Sequence, residues 1–176
     1  MQFLKTTILT TAVLALGVGM GSAENLVKTQ SWVYIADTVM GGVSEGSAGY
    51  VKEEASIRLS GTVSTKNNGG FIQVRTSITP VDFKEKKGIR IQVKGNNEVY
   101  FIHLRNSSSR LPWQYYAAEF MAPDNWVTIE LPFSNFQKSS TFMKTKLDPT
   151  SLKSLGVVAY GRDYTADIHI KMIELY

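Results

Sequence analysis

The chain has 176 residues, of which 43% are hydrophobic and 19% charged, and its net charge is +4. These values exclude a disordered chain and a generally membrane-embedded one, and the length favours one domain. The absence of cysteine excludes disulfides, thiolate metal sites and thiol nucleophiles. The two histidines, His103 and His169, are too few for a zinc site with several imidazole ligands in one chain.

Residues 1–23 have the pattern of a cleaved export signal. Lys5 gives a positive start, residues 8–18 are uncharged and mostly apolar, and residues 21–23 are the small Gly-Ser-Ala that a signal peptidase reads. The apolar run is shorter than the roughly 20 residues of a transmembrane helix, and no later run is long enough. We therefore expect residues 24–176 to form one domain that is exported, periplasmic or secreted, without a stable transmembrane anchor.

Most of the chain after residue 23 alternates hydrophobic and polar residues with a period of two, which is typical of strands with one buried face. Turn residues such as Gly95-Asn96-Asn97 separate the segments. No window of a dozen residues has a convincing helical period, although residues 149–155 could form one turn of helix. About eight or nine short strands predict an all-β sandwich or barrel. The strands are predicted over residues 32–35, 55–60, 70–78, 89–93, 100–105, 114–121, 127–131, 155–160 and 168–172.

The densest local motif is DTVMGGVS at residues 37–44, directly after the first strand. Paired glycines allow a positive φ or a close approach of another segment, and Asp37 and Ser44 have short side chains that can hydrogen-bond the freed backbone amides. Such a loop could form the rim of a ligand site or simply a tight corner.

A second motif, NNGGFIQVR at residues 67–75, contains the Asn-Gly pair that is typical of a β-hairpin and places Arg75 on the strand leaving the turn. Asp37 and Arg75 could together recognise a polar ligand. We favour a buried ion pair that links the two motifs, because a partly buried charge is tolerated mainly when it is paired. The same two interpretations apply to Arg105.

These motifs, with three further segments, resemble the complex I intermediate-associated protein 30 family, in the same order along nearly the whole chain after residue 23. The resemblance implies a galactose-binding-like jelly-roll β-sandwich and a role like that of the mitochondrial members, which help to assemble respiratory complex I as chaperones without known catalysis. The chain departs from those members in having an export signal of bacterial type. The further segments are GIRIQVKGNNEVYFIHLR at 88–105, YYAAEF at 115–120 and WVTIELPFSNF at 126–136.

Aromatic residues near position 114 form a further candidate surface. Trp113, Tyr115 and Tyr116 could form a platform for a sugar or an apolar peptide, with the polar Gln114 beside them. Because Tyr115 and Tyr116 point to opposite faces of a strand, at most one of them should be buried. Trp126 opens a strand and is predicted to lie in the core. Both histidines fall on the polar phase of their strands, which predicts surface positions.

Several functions are disfavoured by the residues. Neither histidine lies near a nucleophile-elbow pattern, and the acidic residues fall mostly in loops or polar phases, so we predict no enzyme. We predict no cofactor, and a structural calcium ion is possible although no dense acidic loop marks it. The lysines at 84, 86 and 87 are not interleaved with aromatic residues, which argues against nucleic-acid binding.

Two functions from different classes remain. In the first, the protein is a noncatalytic, chaperone-like assembly factor that binds a protein client or a membrane-complex subunit, as the resemblance implies. In the second, it is a carbohydrate-binding module, since sandwiches of this fold often bind sugars through aromatic and polar side chains. The candidate ligand or partner surface comprises Asp37, Arg75, Arg105, Trp113, Gln114 and Tyr116.

Overall fold

In the computed structural model, which describes residues 24–78 and 85–176, the alternating segments form two antiparallel sheets. A six-stranded sheet has the order β1-β4-β10-β6-β7-β9, and a five-stranded sheet has the order β2-β3-β11-β5-β8. The helices are α1, Leu26–Thr29, and single 3-10 turns at Asp37–Met40, Lys66–Asn68, Phe133–Asn135 and Pro149–Ser151. The strands are β1 Val33–Ala36, β2 Glu45–Val51, β3 Ser56–Val63, β4 Phe71–Ser77, β5 Gly88–Lys94, β6 Glu98–Asn106, β7 Tyr116–Ala122, β8 Val127–Pro132, β9 Gln137–Lys138, β10 Leu152–Tyr160 and β11 Tyr164–Leu175.

The core lies between the two sheets and follows the predicted alternation. In β6, Tyr100, Ile102 and Leu104 are completely buried, whereas the residues between them face away from the partner sheet. The same pattern in β5 buries Ile89 and Ile91. Burial of such side chains contributes about 1.5–3 kcal/mol each, so the alternation fixes which face of each strand points inward. The all-β sandwich prediction is therefore confirmed.

Two strands and one connection differ from the prediction. Strand β2 lies at an edge of the five-stranded sheet and is mostly exposed, so its small residues give no alternating signal. A register shift after Ile170 leaves Met172 only partly buried and turns Ile173 into the core, which the simple period of two missed. The Asn-Gly segment is not a hairpin, because β3 and β4, on either side of it, belong to different sheets.

The prediction that Trp126 lies in the core is wrong. Its ring is only partly buried and lies on the outer face of the five-stranded sheet, with the ammonium groups of Lys94 and Lys171 at 5.3 and 5.2 Å from its centre and His169 edge-on to it. Trp126 precedes the first residue of β8, so the alternation within that strand does not determine where its side chain points.

Of the helices that the structure describes, none has the length and hydrophobicity needed to cross a membrane. The predicted export signal, residues 1–23, lies outside the described residues.

We expect Tyr116→Ala to lower the free energy of unfolding by about 3–5 kcal/mol, because it removes a large, completely buried side chain and leaves a cavity. Trp126→Ala should cost only about 1 kcal/mol, since its partly exposed ring contacts mainly lysine side chains. Urea denaturation of the two variants measures both values. Equal losses would contradict the position of Trp126 outside the core.

Candidate functional site

The outward face of the six-stranded sheet holds a cleft of about 660 Å³, here called the sheet-face cleft. Its floor is built by the residues of β4, β10 and β6 that alternate with the core residues. The 3-10 turn after β1 forms one rim, and the loop before β7 forms the other. Floor residues include Phe71, Gln73, Arg75, Ser154, Gly156, Val158, Tyr160, His103 and Arg105, and rim residues include Val39, Met40, Pro112, Trp113 and Tyr115.

Gly156 keeps the centre of the floor open. In the sheet register it lies between Arg75 of β4 and His103 of β6. A Cβ atom at this position would come within 2.9 Å of the Gln73 side-chain oxygen, the end of a flexible side chain that also faces the cleft. A larger residue here would therefore fill the space above β10 and displace Gln73.

Aromatic rings line the side of the cleft over β6 and β7. Tyr115 stacks on His103 with a centroid distance of 3.9 Å, and Tyr160 packs edge-on against His103 and Phe101 at 5.7 and 6.0 Å. Trp113 is 59% exposed and Tyr160 is 41% exposed. The cleft therefore presents aromatic surface to solvent, held in place by rings that are themselves packed.

His103 lies on the outward face of the sheet, as its polar phase predicts, but its ring is covered by Tyr115 in the cleft floor. Burial lowers the pKa of His103 to about 3, so the imidazole is neutral at physiological pH. Its Nε2 atom is buried and has no hydrogen-bond partner among the described residues. His103 therefore adds a polar group to the floor without adding a charge.

Both arginines predicted as candidates line the cleft. The Arg105 guanidinium donates hydrogen bonds to the carbonyl oxygens of Ser109 and Leu111, at 3.1 and 2.9 Å, while its buried Nε has no partner among the described residues. Burial, together with the positive charge of nearby Arg75, lowers the pKa of Arg105. No aspartate or glutamate is among the described residues that line the cleft, so its formal charge is positive.

Asp37 is completely buried and does not pair with Arg75, so the predicted ion pair is wrong. Its carboxylate accepts hydrogen bonds from the Ser44 amide (2.9 Å) and hydroxyl (2.5 Å) and from the amides of Gly70 (2.5 Å) and Phe71 (3.2 Å). Burial alone would raise the pKa of Asp37, but these hydrogen bonds outweigh it and lower the pKa. The register explains the separation, because Ala36 lies opposite Ile72 and thus three residues from Arg75 along β4.

Two other candidate residues support the cleft without lining it. The Gln114 side-chain oxygen accepts hydrogen bonds from the amides of Arg110 (2.9 Å) and Leu111 (3.1 Å), which shapes the loop that carries Trp113. Tyr116 is completely buried, and its hydroxyl donates to the Lys144 carbonyl oxygen at 2.9 Å. Of the adjacent tyrosines, it is therefore Tyr115 that faces the cleft.

Some residues of the cleft were not among the sequence candidates. Gln73 and Tyr160 occupy the outward phase of β4 and β10, as the alternation allows. What the sequence does not reveal is that β10 pairs with both β4 and β6, which brings their outward residues into one surface. Among the residues that the structure describes, no three His, Cys, Asp or Glu side chains come together as metal ligands.

The family model of complex I intermediate-associated protein 30 matches residues 21–170. The chain therefore belongs to that family, as its motifs predicted. No match is found among curated protein sequences.

Solved structures with a similar fold include carbohydrate-binding modules. The family 11 module of a cellulosomal cellulase of Clostridium thermocellum is 18% identical over 89% of each chain, with a TM-score of 0.67. The family 11 module from the same organism in complex with a β-1,3-1,4-mixed-linked tetrasaccharide is 18% identical over 82% of this chain and 87% of that one, with a TM-score of 0.65. A family 30 module is 12% identical, covers 81% and 80%, and has a TM-score of 0.56. The fold is thus the predicted galactose-binding-like jelly roll.

We expect Asp37→Ala to lower the free energy of unfolding by about 3 kcal/mol or more, because it leaves several buried donors without an acceptor. Arg75→Ala should change it by less than about 0.5 kcal/mol, since no hydrogen bond or ion pair to Arg75 is present among the described residues. Urea denaturation of both single variants and the double variant should give additive losses within about 0.5 kcal/mol. A coupling energy well above this value would show that Asp37 and Arg75 interact after all.

The low pKa of His103 predicts a pH dependence of stability. Between about pH 6.5, the ordinary histidine value, and about pH 3, the unfolded chain binds a proton at this residue that the folded chain does not, so stability falls as the pH falls. We expect His103→Gln to lose stability less steeply than the wild type, by up to about 1.4 kcal/mol per pH unit. Carboxylates contribute equally to both proteins. Parallel pH curves would contradict a neutral, buried His103.

Proposed function

We propose that this member of the complex I intermediate-associated protein 30 family is a noncatalytic, exported binding protein whose sheet-face cleft holds a glycan. The observation that carries the proposal is the cleft itself, with exposed aromatic surface at Trp113 and Tyr160 beside polar groups of Gln73 and Ser154. Sugar rings have apolar faces that pack on aromatic rings and hydroxyl edges that need hydrogen-bond partners. A cleft of about 660 Å³ is also within the usual range of small-ligand sites.

The described lining supports binding without hydrolysis. Glycoside hydrolysis requires two carboxyl groups at a fixed separation, and no aspartate or glutamate is among the described lining residues. The Asp37 carboxylate lies close to the rim but is completely buried and satisfied by hydrogen bonds. Similarity in fold to carbohydrate-binding modules, one of them in complex with a tetrasaccharide, also supports the binding of a glycan. The leader-like pattern of residues 1–23 supports export.

Family membership supports a second candidate, a chaperone-like factor that binds a protein client. Its binding surface would be the apolar patch on the 3-10 turn after β1, where Val39 is 72% exposed and Met40 60% exposed. Exposed apolar side chains next to a cleft are typical of protein-docking sites. This candidate differs from the first in the residues on which binding depends.

The test is retention of the protein, residues 24–176, on an array of neutral and acidic polysaccharides. We expect the wild type to bind at least one glycan class and Trp113→Ala to weaken that binding about 10-fold, which corresponds to about 1.4 kcal/mol. The matched control is Tyr50→Ala, because Tyr50 is 56% exposed but lies on β2 of the other sheet. Its affinity should equal that of the wild type.

A protein client would give the opposite pattern. No glycan would be retained, and crosslinking in cells would capture a protein in a manner that depends on Val39 and Met40 and not on Trp113. That result would replace the glycan-binding proposal with the assembly-factor candidate.

A further inference from the structure

We infer that the glycan held in the sheet-face cleft is acidic, with a carboxylate or sulfate ester bound by Arg75 and Arg105. This inference rests on the proposed function and names the chemical class of its ligand. It follows from the pairing of arginines in the sandwich, from the unpartnered buried polar atoms in the cleft floor and from the positions of the two arginines in the cleft that the aromatic rings line.

Most arginines outside the cleft are paired with a carboxylate. Of those four, Arg58, Arg90 and Arg162 each form an ion pair, whereas Arg110, exposed in the loop before β7, has none among the described residues. Within residues 24–78 and 85–176, Arg75 and Arg105 have no carboxylate partner. Both line the same cleft, whose described residues include no acidic side chain. The positive charge of the cleft is therefore not neutralised by the described residues around it.

The two cleft arginines are close enough for their charges to interact. The charge of Arg75 adds to burial in lowering the pKa of Arg105. Like charges held together in a partly buried cleft are unfavourable, and an anion between them reverses the sign of the interaction. Guanidinium groups match carboxylate and sulfate oxygens through paired N–H donors, so a bound anion would be held with defined geometry.

Buried polar atoms in the floor indicate the same ligand chemistry. The Nε atom of Arg105 and the Nε2 atom of His103 are buried and lack a hydrogen-bond partner among the described residues. Buried donors without a partner are uncommon because each costs about 1–3 kcal/mol. Because the Arg105 Nε–H is a donor at every physiological pH, its unsatisfied state favours negative charge above the floor, although the atom itself is not exposed to a ligand.

The position of the arginines favours an anion carried on a sugar ring. Arg75 lies opposite Gly156, and Arg105 lies opposite Ser154, so the two flank the open centre of the cleft from β4 and β6. Trp113, on the β7 side, is largely exposed at the adjacent rim. A ring packed on this aromatic rim would place an equatorial carboxylate or sulfate above the space that Gly156 leaves open. A chain of acidic sugars suits this combination of aromatic surface and paired guanidinium groups.

The experiment compares acidic oligosaccharides with neutral counterparts of the same backbone. One pair is hexagalacturonate and its carboxyl-reduced form, and the other is a κ-carrageenan hexasaccharide, a sulfated galactan without carboxylates, and its desulfated form. We expect residues 24–176 to bind the acidic member of at least one pair 10-fold or more tighter by calorimetry, with affinity falling as salt is raised. The pair that shows the preference identifies the anion as a carboxylate or a sulfate ester.

Arg75→Gln provides the residue-specific arm, because Arg75 has no ion pair in the described structure that the change could break. We expect it to abolish the preference for the acidic member while the thermal midpoint stays within about 2 °C of the wild type. The matched control is Lys52→Gln, which removes one positive charge from the exposed turn between β2 and β3 and should leave the preference unchanged.

The outcomes separate this inference from the proposed function. Trp113-dependent binding of glycans with equal affinity for acidic and neutral members, or a preference unaffected by Arg75→Gln, would overturn the inference and leave glycan binding intact. Failure to bind any glycan would overturn both. Binding of poly-glutamate more tightly than any acidic oligosaccharide would assign the cleft to an acidic peptide and also overturn the inference.

Discussion

The buried carboxylate of Asp37 is the constraint on which the geometry of the site depends. It gathers the amide and hydroxyl of Ser44 and the amides of Gly70 and Phe71, and so joins the end of β1 to the starts of β2 and β4. A Cβ atom at Gly42 or Gly69 would overlap the Asp37 side chain, so both motifs need glycine for this approach. Because β4 begins at Phe71, the same contact fixes which residues of β4 face outward.

The consequence of this register is a surface whose charge differs from that of the opposite face. On the five-stranded sheet, Arg58 and Arg90 face carboxylates on neighbouring strands, and the charges cancel locally. On the six-stranded sheet, Arg75 lies opposite Gly156 and Arg105 lies opposite Ser154, so neither faces a carboxylate on β10. The same strand alternation thus produces one face on which Arg58 and Arg90 are paired and one on which the arginines have no carboxylate partner among the described residues. A purely structural sheet face would be expected to resemble the first.

The strand alternation of the sandwich could be predicted from local sequence, but the order and register of the strands that form the cleft could not. The alternation requires Tyr115 and Tyr116 to point in opposite directions, as they do, whereas the motifs favour a buried ion pair for Arg75 and not the place in the cleft that it has. It could not say which tyrosine faces the core, because a period of two leaves the choice of face open. The supposed ion pair of Asp37 failed for a related reason: sequence proximity to a motif does not give strand register or the order of strands in a sheet. These are determined by packing of the whole sandwich.

Membership of the family and likeness in fold bear differently on function. A jelly-roll fold hosts many functions, so similarity in fold to carbohydrate-binding modules at 18% identity does not identify a ligand by itself. Family membership suggests a protein client, yet a client-binding surface needs no recess lined by stacked rings and by two arginines without a carboxylate partner among the described residues. Two like charges in one partly buried cleft oppose folding, and a bound anion would offset this cost. Their retention in one cleft, opposite a face where arginines are paired, favours a specific acidic ligand over a broad docking surface.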